Sequence, residues 1–233
     1  MSTLTSPPDA PGNAPENVRA APQVSSWRLV ATLALAGALS GLMLVSVHQW
    51  TQPAIQAHRA KVLRTAVLEV LGGPETYETL YIVDGALTAS VPDGTDVRAL
   101  ETVYAGVGAD GALDGFAVPA AKPGFQDVIS LIFGYDAATG TLRGMKVLAN
   151  KETPGLGDRI EKDTAFTAQF DGTAVPLIGV KPGRGSGADG EIDTITGATI
   201  SSRTVIVAIN EALDRVRPLL DAYVDAQKAE AAR

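Results

Sequence analysis

Cysteine is absent from this chain of 233 residues, and histidine occurs only twice, as His48 and His58. The absence of cysteine excludes disulfides, thiolate zinc sites, cysteine-ligated iron–sulfur clusters and c-type haem attachment, so any redox centre is held in another way. Both histidines lie in the N-terminal quarter, beside an apolar segment, and this position argues against a Ser-His-Asp triad.

The chain also lacks a cluster of basic residues. It has 19 basic and 26 acidic residues, which give a formal net charge of -7. A nucleic-acid-binding protein normally presents a basic surface to the phosphate backbone, so we expect no nucleic acid as a partner. The length of the chain fits one folded domain with appendages.

One apolar segment is long enough to cross a membrane. Residues 29–47 contain no charged side chain and are rich in Leu, Ala and Val, and as a helix they extend roughly 28 Å. Trp27 and Trp50 flank the segment, as amphipathic aromatics do at the headgroup layers. The run is longer than that of a cleaved signal peptide and no small-residue cleavage site follows it, which predicts an uncleaved membrane anchor.

The regions around this segment differ in composition. Residues 1–26 are rich in proline and alanine, which predicts a disordered tail. Residues 27–50 are predicted to form the transmembrane helix, and residues 51–73 a stalk helix that Pro53 opens. The folded domain is predicted over residues 74–233.

The folded domain contains two hairpin patterns. Strand-like runs pair over residues 102–118 and again over residues 128–148, each pair joined by a turn that contains glycine. We therefore expect a single N-terminal transmembrane helix followed by a mostly antiparallel sheet with flanking helices. This combination belongs to the α+β class.

One glycine-rich segment imitates a nucleotide-binding motif. Residues 185–190 fit the pattern G-x-G-x-x-G. In a dinucleotide-binding fold that pattern follows a strand and opens a helix, whereas here a Pro-Gly turn precedes it and a strand-like run follows it. We interpret the segment as a flexible loop.

A cluster of hydroxyl side chains lies near the C-terminus. Residues 193–202 read Asp-Thr-Ile-Thr-Gly-Ala-Thr-Ile-Ser-Ser and precede an amphipathic helix. The N-terminus of a helix leaves backbone N–H groups unpaired and favours an anion, so hydroxyls at that place suit a phosphate. The residues alone leave a second interpretation open, in which Ser201 or Ser202 caps the helix and no ligand binds.

Two segments resemble the signatures of FMN-binding domains. Residues 193–199 resemble the flavinylation motif, in which Asp is followed three residues later by Ser or Thr and then by Gly, Ala and the acceptor Thr. Residues 152–157, Glu-Thr-Pro-Gly-Leu-Gly, resemble the second signature of that family. With the N-terminal span, the pattern resembles the RnfG (RsxG) family of subunits of the ion-translocating Rnf electron-transport complex, a family related to NqrC.

The resemblance implies that Thr199 carries FMN through a phosphodiester bond. In this family a flavin transferase attaches FMN from FAD with the help of Mg²⁺ and releases AMP, so this chain is the substrate of that reaction. Asp193 is then a recognition residue for the transferase. The resemblance places the remaining cofactor contacts at Glu152, Thr153, Leu156, Gly157, Thr196, Gly197, Ala198 and Ser201.

The resemblance also implies what some of these side chains do. Thr196 and Ser201 are expected to donate hydrogen bonds to phosphate oxygens. Leu156 is expected to cover one face of the flavin. Glu152 and Thr153 are expected either to orient the loop that carries them or to hydrogen-bond the edge of the flavin.

The implied function is electron relay through the tethered FMN, within a membrane complex. The chain is then an electron-transfer subunit and not a stand-alone enzyme, with no catalytic residue and no metal site of its own. Its implied partners are the other subunits of the complex, the transferase (FAD:protein FMN transferase) and the membrane. The implied location is the cell inner membrane, with a single span, a cytoplasmic tail and a periplasmic C-terminal domain.

Three alternatives stay open at the level of the sequence. The chain is alternatively an NqrC-like subunit of a sodium-pumping NADH:quinone reductase. It is alternatively a membrane-anchored module that binds FMN reversibly as a regulator. The third alternative is a purely structural subunit, in which the hydroxyl cluster serves only as a helix cap.

Overall fold

The computed structural model describes residues 25–74, 76–92, 94–109 and 111–231, so the predicted tail lies almost entirely outside the described residues. The chain divides after Ile55 into two compact units. The α-helices are α1 (Ser26–Val70), α2 (Arg159–Lys162), α3 (Thr164–Thr167) and α4 (Thr199–Ala231). The strands are β1 (Thr76–Val83), β2 (Ala86–Thr88), β3 (Thr102–Val107), β4 (Leu113–Pro123), β5 (Val128–Asp136), β6 (Thr141–Ala149), β7 (Asp171–Ala174), β8 (Ile178–Val180) and β9 (Glu191–Asp193).

Helix α1 continues from the apolar segment into the charged region that follows it. Its apolar stretch is long enough to cross a membrane, and no residue of that stretch is buried. Pro53 lies inside the helix, so the prediction that it opens a second helix is wrong. A proline removes one N–H donor and crowds the preceding turn, but the neighbouring turns keep their helical conformation. The predicted transmembrane helix and stalk helix are therefore parts of one helix.

The end of α1 belongs to the second unit and packs on its sheet. Gly73 N–H donates to the Leu68 carbonyl at 2.8 Å, and Gly72 and Gly73 have φ of 80° and 81°. Positive φ at these positions is the usual way to close a helix C-terminus. The cluster at this end consists of Ala66, Val67, Val70, Leu71, Tyr104, Ala117 and Ile132.

A seven-stranded antiparallel sheet forms the centre of the second unit, with the order β2-β1-β3-β4-β5-β6-β7. Both predicted hairpins are confirmed, because β3 pairs with β4 and β5 pairs with β6. The register places Tyr104 opposite Ala117 and Ile132 opposite Lys146. In antiparallel strands the turn after β4 lies at one end of the sheet, and the turns after β3 and β5 lie at the other.

Alternate residues of the central strands face different helices, as the period of a strand requires. Phe116 and Val118 belong to the cluster that packs against α4, whereas Ala117 between them packs against the end of α1. The predicted apolar face of α4 is buried in the first cluster, at Val205, Ile209, Ala212, Leu213 and Val216. The fold is an antiparallel sheet with helices on both faces, which confirms the α+β class.

A small parallel pair, β8 with β9, precedes α4. The segment between these two strands contains the G-x-G-x-x-G pattern and forms no helix. The interpretation of that segment as a loop is confirmed. The hydroxyl cluster begins at Asp193, the last residue of β9.

Candidate cofactor site

A tight turn over residues 194–198 joins β9 to α4. The turn is anchored at Thr194, whose N–H and hydroxyl both donate to the Val180 carbonyl, at 2.8 and 2.9 Å. Gly197 has φ of 86°, a conformation that favours glycine, and Ala198 N–H donates to the Ile195 carbonyl at 3.0 Å. This turn sets the chain into helical geometry at Thr199.

Helix α4 begins at Thr199, so the prediction that Ser201 or Ser202 is its N-cap is wrong. The Ser202 hydroxyl donates instead to the Ala198 carbonyl at 2.9 Å and accepts from Ile195 N–H at 3.1 Å. A capping hydroxyl would accept from an N–H group two or three residues later in the chain. The side chain of Ser202 instead ties the first turn of the helix back to the preceding turn.

Thr199 is half-buried at the first position of the helix. Ser202 N–H makes the first helical bond, to the Ala198 carbonyl at 2.9 Å, so the N–H groups of Thr199, Ile200 and Ser201 come before the first N–H that has an acceptor within the helix. Within the described part of the chain no protein group pairs with the Thr199 hydroxyl in a hydrogen bond. An unpaired hydroxyl and the positive end of a long helix therefore coincide.

The Thr199 side chain faces a cavity of about 380 Å³, the Thr199 cavity, a size within the usual range for small-molecule sites. Three large apolar side chains at its edge remain exposed: Phe125 by 65%, Leu156 by 49% and Ile200 by 56%. Exposed apolar side chains grouped around one cavity indicate a ligand with apolar surface. The helix N-terminus adds a place for an anionic group.

Glu152 lies beneath this cavity and is only 4% exposed. Its Oε1 accepts from the backbone N–H groups of Phe125 and Gln126, each at 3.0 Å, and its Oε2 accepts from the Ser201 hydroxyl at 2.5 Å. Burial by itself raises the pKa of Glu152, but the hydrogen bonds from Ser201 and the backbone outweigh burial and lower the pKa. The residue is a buried carboxylate anion.

The loop that follows Glu152 is a compact turn. The Thr153 carbonyl accepts from Leu156 N–H at 3.1 Å and from Gly157 N–H at 3.0 Å, and Gly155 has φ of 77°. This turn raises the Leu156 side chain to the edge of the Thr199 cavity. Leu156 is thus placed to cover part of a bound ligand.

The structure gathers most of the predicted contact residues around the Thr199 cavity. Those that line it with Thr199 are Glu152, Thr153, Leu156, Gly157, Gly197, Ala198 and Ser201. Ser201 differs from the expectation in one respect, since its hydroxyl donates to Glu152 and that proton is not directed to a phosphate.

Thr196 and Asp193 lie elsewhere. Both line a second cavity of about 500 Å³, the Asp193 cavity, on which Thr199 does not border. The Thr196 carbonyl accepts from Arg159 Nη1 at 3.3 Å. The Gln169 amide brackets Asp193, because Oε1 accepts from Asp193 N–H at 2.7 Å and Nε2 donates to its carbonyl at 3.3 Å. Gln169 therefore pins the chain just before the 194–198 turn.

Sequence reasoning missed four residues of this region: Phe125, Gln169, Arg159 and Ile200. Ile200 lies inside the hydroxyl run, and an apolar residue within a polar motif was the signal for it. Phe125 follows Pro123-Gly124 in a turn, where an aromatic side chain is rarely required for folding. No signal in the sequence connects Gln169 with Asp193. In the described ranges no group of three His, Asp or Glu side chains is placed to hold a metal ion.

Comparison with protein families matches residues 124–214 to the FMN-binding domain. The chain is similar to the G subunit (RnfG) of the ion-translocating oxidoreductase complex of Pseudomonas aeruginosa, with 32% identity over 188 residues that cover 76% of this chain and 82% of that protein. It is also similar to the protein of the same name in Methanosarcina acetivorans, with 29% identity over 189 residues, 81% of this chain and 93% of that protein.

Two solved structures share the fold. NqrC of Shewanella oneidensis gives a TM-score of 0.62 at 19% identity, covering 71% of this chain and 99% of that one. The NqrC protein of the Na⁺-translocating NADH-quinone reductase of Parabacteroides distasonis gives 0.57 at 19% identity, covering 72% and 96%. Every residue that lines the Thr199 cavity falls within the region matched to the FMN-binding domain.

Proposed function

The chain belongs to the RnfG family of ion-translocating oxidoreductase subunits, and on that premise we propose that it relays electrons through FMN attached covalently to Thr199. The apolar part of α1 anchors it in the membrane as a single span. The flavin supplies the redox chemistry when bound. The residues of the chain bind the flavin, orient it and limit its contact with water.

The observation that carries this proposal is the position of the Thr199 hydroxyl, at the N-terminus of a helix and inside a cavity with apolar edges. A phosphate next to Thr199 meets unpaired N–H groups and the positive end of the helix dipole. A flat aromatic ring system would cover Phe125, Leu156 and Ile200, which are otherwise exposed. FMN combines these two chemical features, so the residues present fit it.

Attachment of FMN requires a second protein. The Thr199 Oγ1 forms a bond to the phosphorus of the FMN half of FAD, the pyrophosphate P–O bond breaks, and AMP leaves. A threonine hydroxyl needs a base to take its proton and a metal to offset the phosphate charge. Both histidines of the chain lie in α1, so we assign the base and Mg²⁺ to a flavin transferase, which recognises Asp193.

The remaining assignments follow from this role. We place the span in the cell inner membrane and the flavin domain, residues 74–233, on the periplasmic side. The other subunits of an ion-translocating complex are the partners that donate electrons to the flavin and accept them from it. Covalent attachment suits this location, because a flavin lost outside the cytoplasm is not replaced from the cytoplasmic pool.

The test is the flavin content of the full chain purified from its native host after denaturation. We expect flavin to stay with the wild-type chain and with Thr199→Ser, and the peptide that contains residue 199 to carry the mass of FMN. Thr199→Ala removes a hydroxyl that has no hydrogen-bond partner among the described residues, so we expect a folded chain without covalent flavin.

Thr164→Ala is the matched control, because Thr164 is also the first residue of a helix but lies outside the Thr199 cavity. It should keep its flavin. An unmodified Thr199 peptide in the wild-type chain refutes covalent attachment. Flavin released by acid precipitation supports the alternative of reversible FMN binding, and electron transport that is intact in Thr199→Ala supports a structural subunit.

A further inference from the structure

Three segments that are distant in sequence meet at the Glu152 carboxylate. The β4–β5 turn contributes two backbone N–H groups, the 152–157 loop contributes Glu152 itself, and the first turn of α4 contributes the Ser201 hydroxyl. Each segment also supplies a side chain to the edge of the Thr199 cavity, namely Phe125, Leu156 and Ile200. The carboxylate therefore connects the three parts of the cavity.

Two glycines, Gly124 and Gly157, lie directly against Glu152. A Cβ atom on Gly124 would lie 2.6 Å from Glu152 Oε1, and one on Gly157 would lie 2.7 Å from Glu152 Cβ and 3.0 Å from Ser201 Oγ. A Cβ atom is essentially never found within 3.0 Å of a non-bonded heavy atom, so a side chain at either position would displace Glu152. The two glycines leave the room that the Glu152 side chain occupies.

We propose that Glu152 is a positioning residue that assembles the Thr199 cavity by joining the β4–β5 turn and the start of α4 to the 152–157 loop. The inference rests on the proposed function and deepens it. Both carboxylate oxygens accept hydrogen bonds from protein donors, so Glu152 acts on the flavin through Phe125 and Ser201, which line the cavity beside it. Of the two sequence-based expectations for Glu152, orientation of the loop and bonding to the flavin edge, the structure favours orientation.

The charge of Glu152, its bond to α4 and the full set of its bonds can be altered by three different substitutions. In Glu152→Gln the amide oxygen still accepts from the two backbone N–H groups, and the amide N–H donates to Ser201 Oγ, which can also act as an acceptor. This variant loses the charge but keeps the connections. Ser201→Ala loses only the connection to α4, and Glu152→Ala loses all of them.

The experiment measures amide hydrogen exchange and visible circular dichroism of the attached flavin in the full chain from its native host. In Glu152→Ala we expect exchange at Phe125 and Gln126 to rise by about tenfold or more, because both N–H groups lose an acceptor that carries a charge. The dichroism of the flavin should fall towards that of free FMN. Ser201→Ala should lower the dichroism less, and Glu152→Gln should restore both signals to near the wild-type values.

Glu211→Ala is the control, since Glu211 pairs with Lys122 on the surface and does not border the Thr199 cavity. Unchanged exchange and dichroism in Glu152→Ala overturn the proposal, and so does a Glu152→Gln variant as impaired as Glu152→Ala. If Glu152→Ala does not fold, Ser201→Ala and Gly157→Ala decide by the same signals, and wild-type values in both overturn the proposal.

The two proposals fail in different ways. A wild-type chain without flavin at Thr199 refutes covalent attachment. The exchange rates of Phe125 and Gln126 still decide whether Glu152 joins the three segments, because they are measured on the chain itself. Normal exchange rates together with a normal flavin load refute the role of Glu152 and leave the proposed function intact.

Discussion

The two ends of the sheet are each held by one charged side chain, but in different ways. At the end with the Thr199 cavity, the buried Glu152 carboxylate is bonded only to backbone N–H groups and a hydroxyl. At the other end, Arg143 pairs with two carboxylates, Asp114 and Asp136, each at 2.9 Å, and its side chain is 28% exposed. One end solvates a charge with neutral dipoles, and the other neutralises it with opposite charges.

Helix α4 reaches both ends of the sheet, with its N-terminus at one end and its C-terminus at the other. Its first residue faces the Thr199 cavity, whereas its last turns, with Val224 and Lys228, border a cavity of about 540 Å³ beside Arg143. The cavity near Arg143 is the larger of the two, at 540 Å³ against 380 Å³. A helix favours anions at its N-terminus and cations at its C-terminus. Volume is therefore a poor guide here, and the helix end identifies the cavity that suits a phosphate.

Replacement of the buried Glu152 by alanine should cause the largest loss of stability. Glu152→Ala leaves two backbone N–H groups without an acceptor, and we expect a loss of about 3 kcal/mol in the free energy of unfolding. All five tyrosines lie after residue 56, in the second unit. Urea unfolding of the detergent-solubilised chain, followed by near-ultraviolet circular dichroism of tyrosine, measures this loss. A loss below that of the Arg143 variant described next contradicts the comparison.

Replacement of the partly exposed Arg143 by alanine should cause a smaller loss of stability. Arg143→Ala leaves Asp114 and Asp136 without their partner, but water reaches these groups, so we expect a loss of about 1.5 kcal/mol. In 1 M NaCl the loss should shrink, because salt screens exposed ion pairs. The loss caused by Glu152→Ala should stay the same. Equal salt dependence of the two losses, measured by the same urea titrations, rejects the distinction between the two ends.

Low pH tests the charge of Glu152 separately from its geometry. The expected change in the free energy of unfolding is smaller than that caused by Glu152→Ala or Arg143→Ala. The pKa of Glu152 is lowered in the folded state from its ordinary value of 4.5, so below pH 4.5 the unfolded chain binds more protons than the folded chain. The stability that the charge contributes is present above that pH and is lost as the pH falls through the folded pKa. Glu152→Gln should therefore lose stability less steeply below pH 4.5 than the wild type. Equal slopes for the two proteins contradict the expectation.

The smallest effect is expected at a surface ion pair that involves neither Glu152 nor Arg143. Lys122 and Glu211 are 2.8 Å apart, with side chains 32% and 52% exposed. Lys122→Gln should change the free energy of unfolding by less than about 0.5 kcal/mol, as exposed ion pairs contribute little. A change as large as that of Arg143→Ala, measured by urea unfolding, shows that exposure does not govern the strength of these pairs.

Local patterns in the sequence predicted much of the fold. The hairpins over 102–118 and 128–148 follow from alternation and turn residues, and the apolar face of α4 follows from helical spacing. The boundaries of α1 and the start of α4 were harder to predict. Pro53 reads locally as a helix start, but the helix continues through it. The start of α4 depends on the turn at Gly197 rather than on a capping serine.

The site was predictable only where its residues lie within the two short motifs. The partners of Glu152 were not predictable, since backbone N–H groups at residues 125 and 126 leave no trace in the side-chain sequence. Ser201 was expected to face a phosphate, but its hydroxyl donates a hydrogen bond to a carboxylate 49 residues away instead. The Gln169 amide likewise binds the backbone of Asp193 across 24 residues. Contacts made through the main chain become visible only in three dimensions.

The bonds from Glu152 to the main chain of the β4–β5 turn also bear on how the protein can evolve. Because the carboxylate binds N–H groups, this attachment of the turn does not use the side chains at positions 125 and 126, and only proline would remove a donor. Mutation can thus exchange the ring of Phe125 for another side chain while the turn keeps its attachment. The surroundings of a cofactor can diversify by single substitutions, with the supporting scaffold inherited unchanged.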